Sequence, residues 1–183
     1  MLKYVITGRP GVGKSTLFTN IINYLMKNNI RVGGIRTPEV RSEKGFRIGF
    51  KVVDLMTNKW VWLARRDHYS PVRIGKYGVF VEEAKRLVEK ALMNALNEAD
   101  VIGIDEVGPM ELRINGFKRL LLEILNGGKP VILVVHYRLN DREILHELSN
   151  AKWYEVTIYN REQLNKELPQ KIYSEINAFL TSK

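Results

Sequence analysis

The residues Gly8-Arg9-Pro10-Gly11-Val12-Gly13-Lys14-Ser15 have the spacing G-x-x-x-x-G-K-[ST], and Thr16 follows. Each part of this pattern has a physical purpose. The glycines let the backbone curl into a concave nest whose N–H groups converge on phosphate oxygens. A helix beginning at the end of the loop adds partial positive charge. Lys14 supplies a full charge for β- and γ-phosphates, and the Ser15 hydroxyl is of the type that ligates Mg²⁺. Residues 8–16 are therefore a candidate binding segment for a nucleoside triphosphate with Mg²⁺.

A second acidic element lies far along the chain. Val101-Ile102-Gly103-Ile104 is an apolar run ending in Asp105-Glu106, with Gly108 close behind. In proteins with such a loop, a strand of this kind lies near the loop strand and its terminal aspartate faces the magnesium, usually through water. Asp105 takes that position. Side chains alternate along a strand, so Glu106 reaches the γ-phosphate from another angle, where it can polarise a water. The same letters, Asp105-Glu106-Val107-Gly108, also fit the D-x-x-G of a GTP-binding switch. That reading calls for N-K-x-D, and the nearest match, Asn165-Lys166-Glu167-Leu168, lacks the aspartate.

Hydrolysis at a γ-phosphate calls for further positive charge. Arg36, Arg41, Arg47, Arg113 and Arg138 are the candidates, and the sequence does not choose among them. His136 follows the run Val131–Val135, where a polar sensor of the γ-phosphate can sit; it can equally be a packed histidine. Glu39 can position a ribose, a water or an arginine, or form an ion pair within its own segment. Trp60 and Trp62 share one face by alternation, where they either stack a base or pack on the sheet.

The elements that must position these residues follow from hydrophobic periodicity. Lys3–Thr7 reads as a buried strand, Lys14–Asn28 as an amphipathic helix, and Val32–Ile35 as a strand weakened by Gly33 and Gly34. Phe46–Met56 and Lys59–Ala64 flank Thr57–Asn58 and read as a hairpin. Val79–Glu98 is a long amphipathic helix, Val101–Ile104 a strand, Gly116–Leu125 a helix and Val131–Val135 a strand. Residues 140–149 and 169–181 read as helices, with Tyr154–Ile158 a strand between them. Strands alternating with helices predict an α/β fold: a largely parallel sheet flanked by helices on both faces, with an inserted antiparallel hairpin. Residues 1–183 read as one domain.

Composition narrows the chemistry. The 183 residues are 45% apolar, enough to bury a core without disulfides or a structural metal. There is no cysteine, which excludes disulfides, zinc fingers, iron–sulfur clusters and cysteine nucleophiles. The three histidines, His68, His136 and His146, have no metal-ligand spacing. No apolar run reaches the roughly 18 residues of a membrane span, and the N-terminus lacks a secretory signal, so a cytoplasmic protein is expected. The net charge is +9, and residues 31–76 hold 11 Lys/Arg against 4 Asp/Glu, which concentrates most of the excess there. Such a block fits a polyanionic partner or a solvated basic face.

Taken in order, several blocks resemble a small nucleoside-triphosphatase family of thermophilic archaea and bacteria with a vertebrate relative, cancer-related nucleoside triphosphatase. They are Gly8–Leu17, Gly33–Phe50, Val53-Asp54-Leu55, the string Asp105-Glu106-Val107-Gly108-Pro109-Met110-Glu111-Leu112, and Val135-His136-Tyr137-Arg138. Ile35-Arg36 stands where that family has glycine-phenylalanine. The resemblance implies a RecA-like P-loop NTPase fold with a further strand between the loop strand and the Asp-Glu strand. It also implies slow, Mg²⁺-dependent hydrolysis of ATP, GTP, CTP and UTP to diphosphate and phosphate, with little base preference. In that reading Glu106 and Lys14 are catalytic and Ser15 and Asp105 hold the metal. Two other classes stay open: a nucleoside or nucleotide kinase, and a nucleic-acid-stimulated ATPase or nucleotide-controlled binding module. Oligomeric state is not legible.

Overall fold

The computed structural model describes residues 1–182. The chain runs β1 (Lys3–Thr7), α1 (Lys14–Lys27), β2 (Val32–Arg36), β3 (Glu39–Arg41), β4 (Arg47–Asp54), β5 (Trp60–Arg65), β6 (Arg73–Ile74), β7 (Tyr77–Val79), α2 (Val81–Glu98), β8 (Val101–Val107), α3 (Phe117–Asn126), β9 (Val131–Val135), α4 (Arg142–Glu147), β10 (Lys152–Glu155) and α5 (Arg161–Thr181). All strands join one sheet in the order β10-β1-β9-β8-β2-β4-β5-β7-β6, with β3 paired to β4. The five strands from β10 to β2 are parallel; from β4 onward the pairing is antiparallel.

This is the expected architecture, and β9 is the further strand between β1 and β8 that the resemblance implies. The strands of the parallel half are apolar on both faces because both are covered. In β9, Val131, Leu133 and Val135 face the core beneath α2, α3 and α4, while Ile132 and Val134 face α1 and α5. Gly33 does more than weaken β2. A Cβ there would lie 2.7 Å from Ala95 Cβ, so the absent side chain lets α2 settle directly on the strand.

The structure corrects several boundaries. β8 does not stop at Ile104 but continues through both acids to Val107, because β9 goes on pairing with it. The last strand lies at 152–155 rather than 154–158, where it pairs with β1. The last helix starts at Arg161 rather than 169 and carries Pro169 inside it. The lost backbone hydrogen bond there is outweighed by burial of Leu168, Ile172 and Ile176 against α1. The short strands β3, β6 and β7 have too few residues to show a period.

Candidate active site

The phosphate-loop segment joins β1 to α1, and its glycines are required by geometry. Gly8 has φ +139°, and a Cβ there would lie 2.4 Å from the Val156 carbonyl oxygen. Gly13 caps α1 in the left-handed region at φ +110°. Val12 packs into the core beside α1. Lys14 is only 8% exposed. Its Nζ donates to the Gly8 carbonyl at 3.0 Å and the Arg9 carbonyl at 3.2 Å, bracing the loop from within.

The loop meets the second acidic element directly. Ser15 Oγ donates to Asp105 Oδ1 at 3.2 Å, tying α1 to the end of β8. Thr37, just past β2, donates its hydroxyl to the Asp105 backbone carbonyl at 2.8 Å. Asp105 pairs with Val134 and Val107 with Val135, so Glu106 is the extra residue of a β-bulge. Among the described residues, Glu106 Oε1 is the buried side-chain oxygen left without a hydrogen-bond partner.

Burial raises the proton affinity of these carboxyls. Burial pushes Asp105 up to about 7; Glu106 adds to the rise, while Ser15, Lys14 and Arg36 oppose it. Burial also raises Glu106, against the pull of Lys14 and His136. A third carboxyl, Glu111, lies in a short 3₁₀ turn (Glu111–Arg113) after β8 and is 5% exposed. Burial lifts it to about 8, with Glu106 and Asp105 contributing and Thr37 opposing.

All three acids line a cleft of about 480 Å³ with Pro10, Gly11, Gly13, Lys14, Ser15 and Thr16. Gly108 and His136 also reach it. The far wall comes from the β3–β4 hairpin. Glu39 forms ion pairs with Arg41, at 2.5 Å, and with Arg47, and both arginines line the cleft. An ion pair within the segment is thus how Glu39 is held. Arg36 sits opposite Asp105 in the β2–β8 register and acts on its charge without lining the cleft. Arg113 and Arg138 border a separate cavity of about 320 Å³ that shares Pro109 and His136 with the main one. Of the five arginines, the structure therefore brings Arg41 and Arg47 into the cleft that the loop lines.

A family model described as NTPase matches residues 3–169. The chain belongs to this NTPase family. A nucleoside-triphosphatase THEP1 of Hyperthermus butylicus is 44% identical over 173 residues, which is 94% of this chain and 89% of that relative. A nucleoside-triphosphatase THEP1 of Saccharolobus solfataricus is 43% identical over 176 residues, 96% of this chain and 95% of the relative. The crystal structure of THEP1 from Aquifex aeolicus superposes with a TM-score of 0.80 at 31% identity, covering 91% of this chain and 96% of that one.

Within the family fold, Glu111 is the residue that sequence reasoning missed. It stood inside the string Asp105–Leu112 and drew no role. The available signal was an acid in a stretch otherwise rich in apolar residues and glycine. Gly108 marks where the carboxyls converge: a Cβ there would lie 3.2 Å from Glu111 Oε2 and 3.5 Å from Glu106 Oε1. The Asn165-Lys166 segment lies within α5 against α1, where Asn20 Nδ2 donates to Asn165 Oδ1 at 2.6 Å. No helix of the described chain is long and apolar enough to cross a membrane.

Proposed function

We propose that this chain hydrolyses nucleoside 5'-triphosphates to nucleoside diphosphate and phosphate with Mg²⁺, and that Glu106 directs the attacking water. The observation that carries the reading is Glu106 Oε1, a buried acceptor with no protein partner at the cleft that holds the phosphate loop. A buried polar atom left unpaired costs free energy, and a bound water or substrate group relieves that cost.

The chain's residues divide the work. The loop amides and Lys14 hold the phosphates and oppose the charge that develops on them. Glu106 accepts a hydrogen bond from water and orients its oxygen toward the γ-phosphorus. As the new P–O bond forms, the bond to the β–γ bridging oxygen breaks, the diphosphate leaves, and Glu106 takes up a water proton. Its raised proton affinity suits that step. Arg41 and Arg47, which line the same cleft, would supply positive charge to the γ-phosphate. The paired Ser15 hydroxyl and Asp105 carboxylate suit magnesium, a cation that takes few protein ligands and fills its shell with phosphate oxygens and water. When bound there, Mg²⁺ would neutralise charge on the β- and γ-phosphate oxygens.

Broad base tolerance is supported by the missing aspartate after Asn165-Lys166 and by the commitment of Asn165 to α1. The test is phosphate release from ATP, GTP, CTP and UTP with Mg²⁺, wild type beside Glu106→Gln. The expected result is comparable wild-type turnover on all four and a fall of roughly 10²–10⁴-fold in the variant with nucleotide binding retained. Tight binding without turnover by the wild type would overturn the hydrolase reading and direct the search to a phosphoryl acceptor.

A further inference from the structure

The antiparallel half of the sheet carries chemistry that the nucleotide cleft does not use. Helix α2 packs on one face of β4 and β5, over Val52, Leu63 and Ala64. Trp60 and Trp62 alternate with the inward-facing Val61 and Leu63. Lys51 lies directly across from Trp62 in the β4–β5 register. Its ammonium stands 3.4 Å from the Trp60 ring centroid and 5.5 Å from that of Trp62. The Arg65 guanidinium lies 4.7 Å from the Trp62 ring. The two indoles meet edge to face with centroids 6.2 Å apart. The result is a continuous row of ring, cation, ring and cation across two strands.

The row is not a closed packing unit. Trp60 remains 48% exposed, so part of its surface is open to a ligand. Lys51 enters none of the ion pairs formed by the described residues, whereas Arg65 is paired with Asp67. The row also lies inside the segment 31–76, which holds most of the chain's excess positive charge. A cation over one face of an indole fixes the ring's orientation. A fixed, exposed ring beside unpaired charge matches one kind of polyanion, a strand whose bases are unpaired and free to stack. Stacking on an aromatic face tolerates any base, and the cations take the phosphates. A duplex hides its base faces. An anionic bilayer would answer the charge and accept an indole at its interface, but Lys51 holds the Trp60 ring by its face instead of leaving the indole free to insert.

We propose that the open face of the β4–β5 hairpin binds single-stranded nucleic acid, with a base stacked on Trp60 and phosphates held by Lys51 and Arg65. The test is fluorescence anisotropy of a labelled oligothymidylate titrated with the full chain at about 50 mM and about 200 mM salt, with indole emission followed in parallel. Trp60→Ala should weaken binding roughly 5- to 100-fold, and Trp60→Phe should restore most of it because the ring returns. Lys51→Gln should reduce the slope of log affinity against log salt by about 0.7. Triphosphate turnover without the oligonucleotide should match wild type in all three variants, and each should melt cooperatively within several degrees of it, the loss of the ring contacts to Lys51 and Trp62 accounting for the shift in Trp60→Ala. Absence of binding at the lower salt overturns the proposal, as does wild-type affinity in Trp60→Ala. So does binding to phosphatidylserine vesicles or heparin that equals oligonucleotide binding and occurs without indole quenching, which would mark a diffuse basic surface.

Discussion

Replacing Glu111 by glutamine should make the nucleotide-free protein more stable at alkaline pH and leave it unchanged at acid pH. Glu111 is buried beside Glu106, and its proton affinity rises from the ordinary 4.5 to about 8. Between those values the folded chain holds a proton that the unfolded chain releases. Stability therefore falls as pH rises through this window and levels off above about 8. At roughly 1.4 kcal/mol per tenfold change in proton affinity, the wild type loses on the order of 4 kcal/mol across it. Glutamine has the shape of the protonated acid and does not titrate, so the variant escapes that loss. For a chain of this length each kcal/mol moves the melting temperature by about 2–4 °C. The two melting curves should coincide near pH 4.5 and separate by about 8–15 °C at pH 9. Asp105, raised to about 7, adds a slope common to both proteins and does not affect the difference. The assay is calorimetric melting in EDTA with no nucleotide present. Melting temperatures that stay parallel across the range, or a wild type that gains on the variant as pH rises, would refute the reasoning.

Two further outcomes follow from the same geometry. Binding of Mg²⁺–nucleotide at pH 6 should release up to about one proton, because a cation at Asp105 favours the carboxylate that burial disfavours; calorimetry in buffers of different ionisation enthalpy measures it, and an enthalpy independent of buffer would contradict it. Gly33→Ala should cost about 1–3 kcal/mol, since its Cβ would press on Ala95 at 2.7 Å and on Ala99 at 3.0 Å, and the melting temperature should fall by several degrees.

The parts of the site that were legible are those set by local chain geometry. The phosphate loop is contiguous, and its glycines, Lys14 and Ser15 follow from what a nest and a helix start require. Asp105 was legible as the polar end of an apolar strand. The bulge at Glu106 was not, because it depends on how β8 registers with β9, a pairing between segments about 30 residues apart that spacing alone does not reveal. Glu111 was hidden for a related reason. An acid after a strand usually points to water, and only the turn that folds it back toward Glu106 and Thr37 buries it.

The arginines show the same division more sharply. Five were equivalent as letters, and what separates them is strand pairing. Glu39 pairs with Phe50 and Arg41 with Arg47 across β3 and β4, so one short hairpin delivers two guanidiniums and their shared carboxylate to the wall facing the phosphate loop. Arg113 and Arg138 follow β8 and β9 and end at the neighbouring cavity instead. Glu39 neutralises charge that would otherwise stand unopposed at the cleft wall. On the function proposed above, a triphosphate entering the cleft would compete with that carboxylate for the same guanidiniums. Glu39 would then keep both arginines oriented in the cleft wall, and an incoming phosphate would draw on charge already in place.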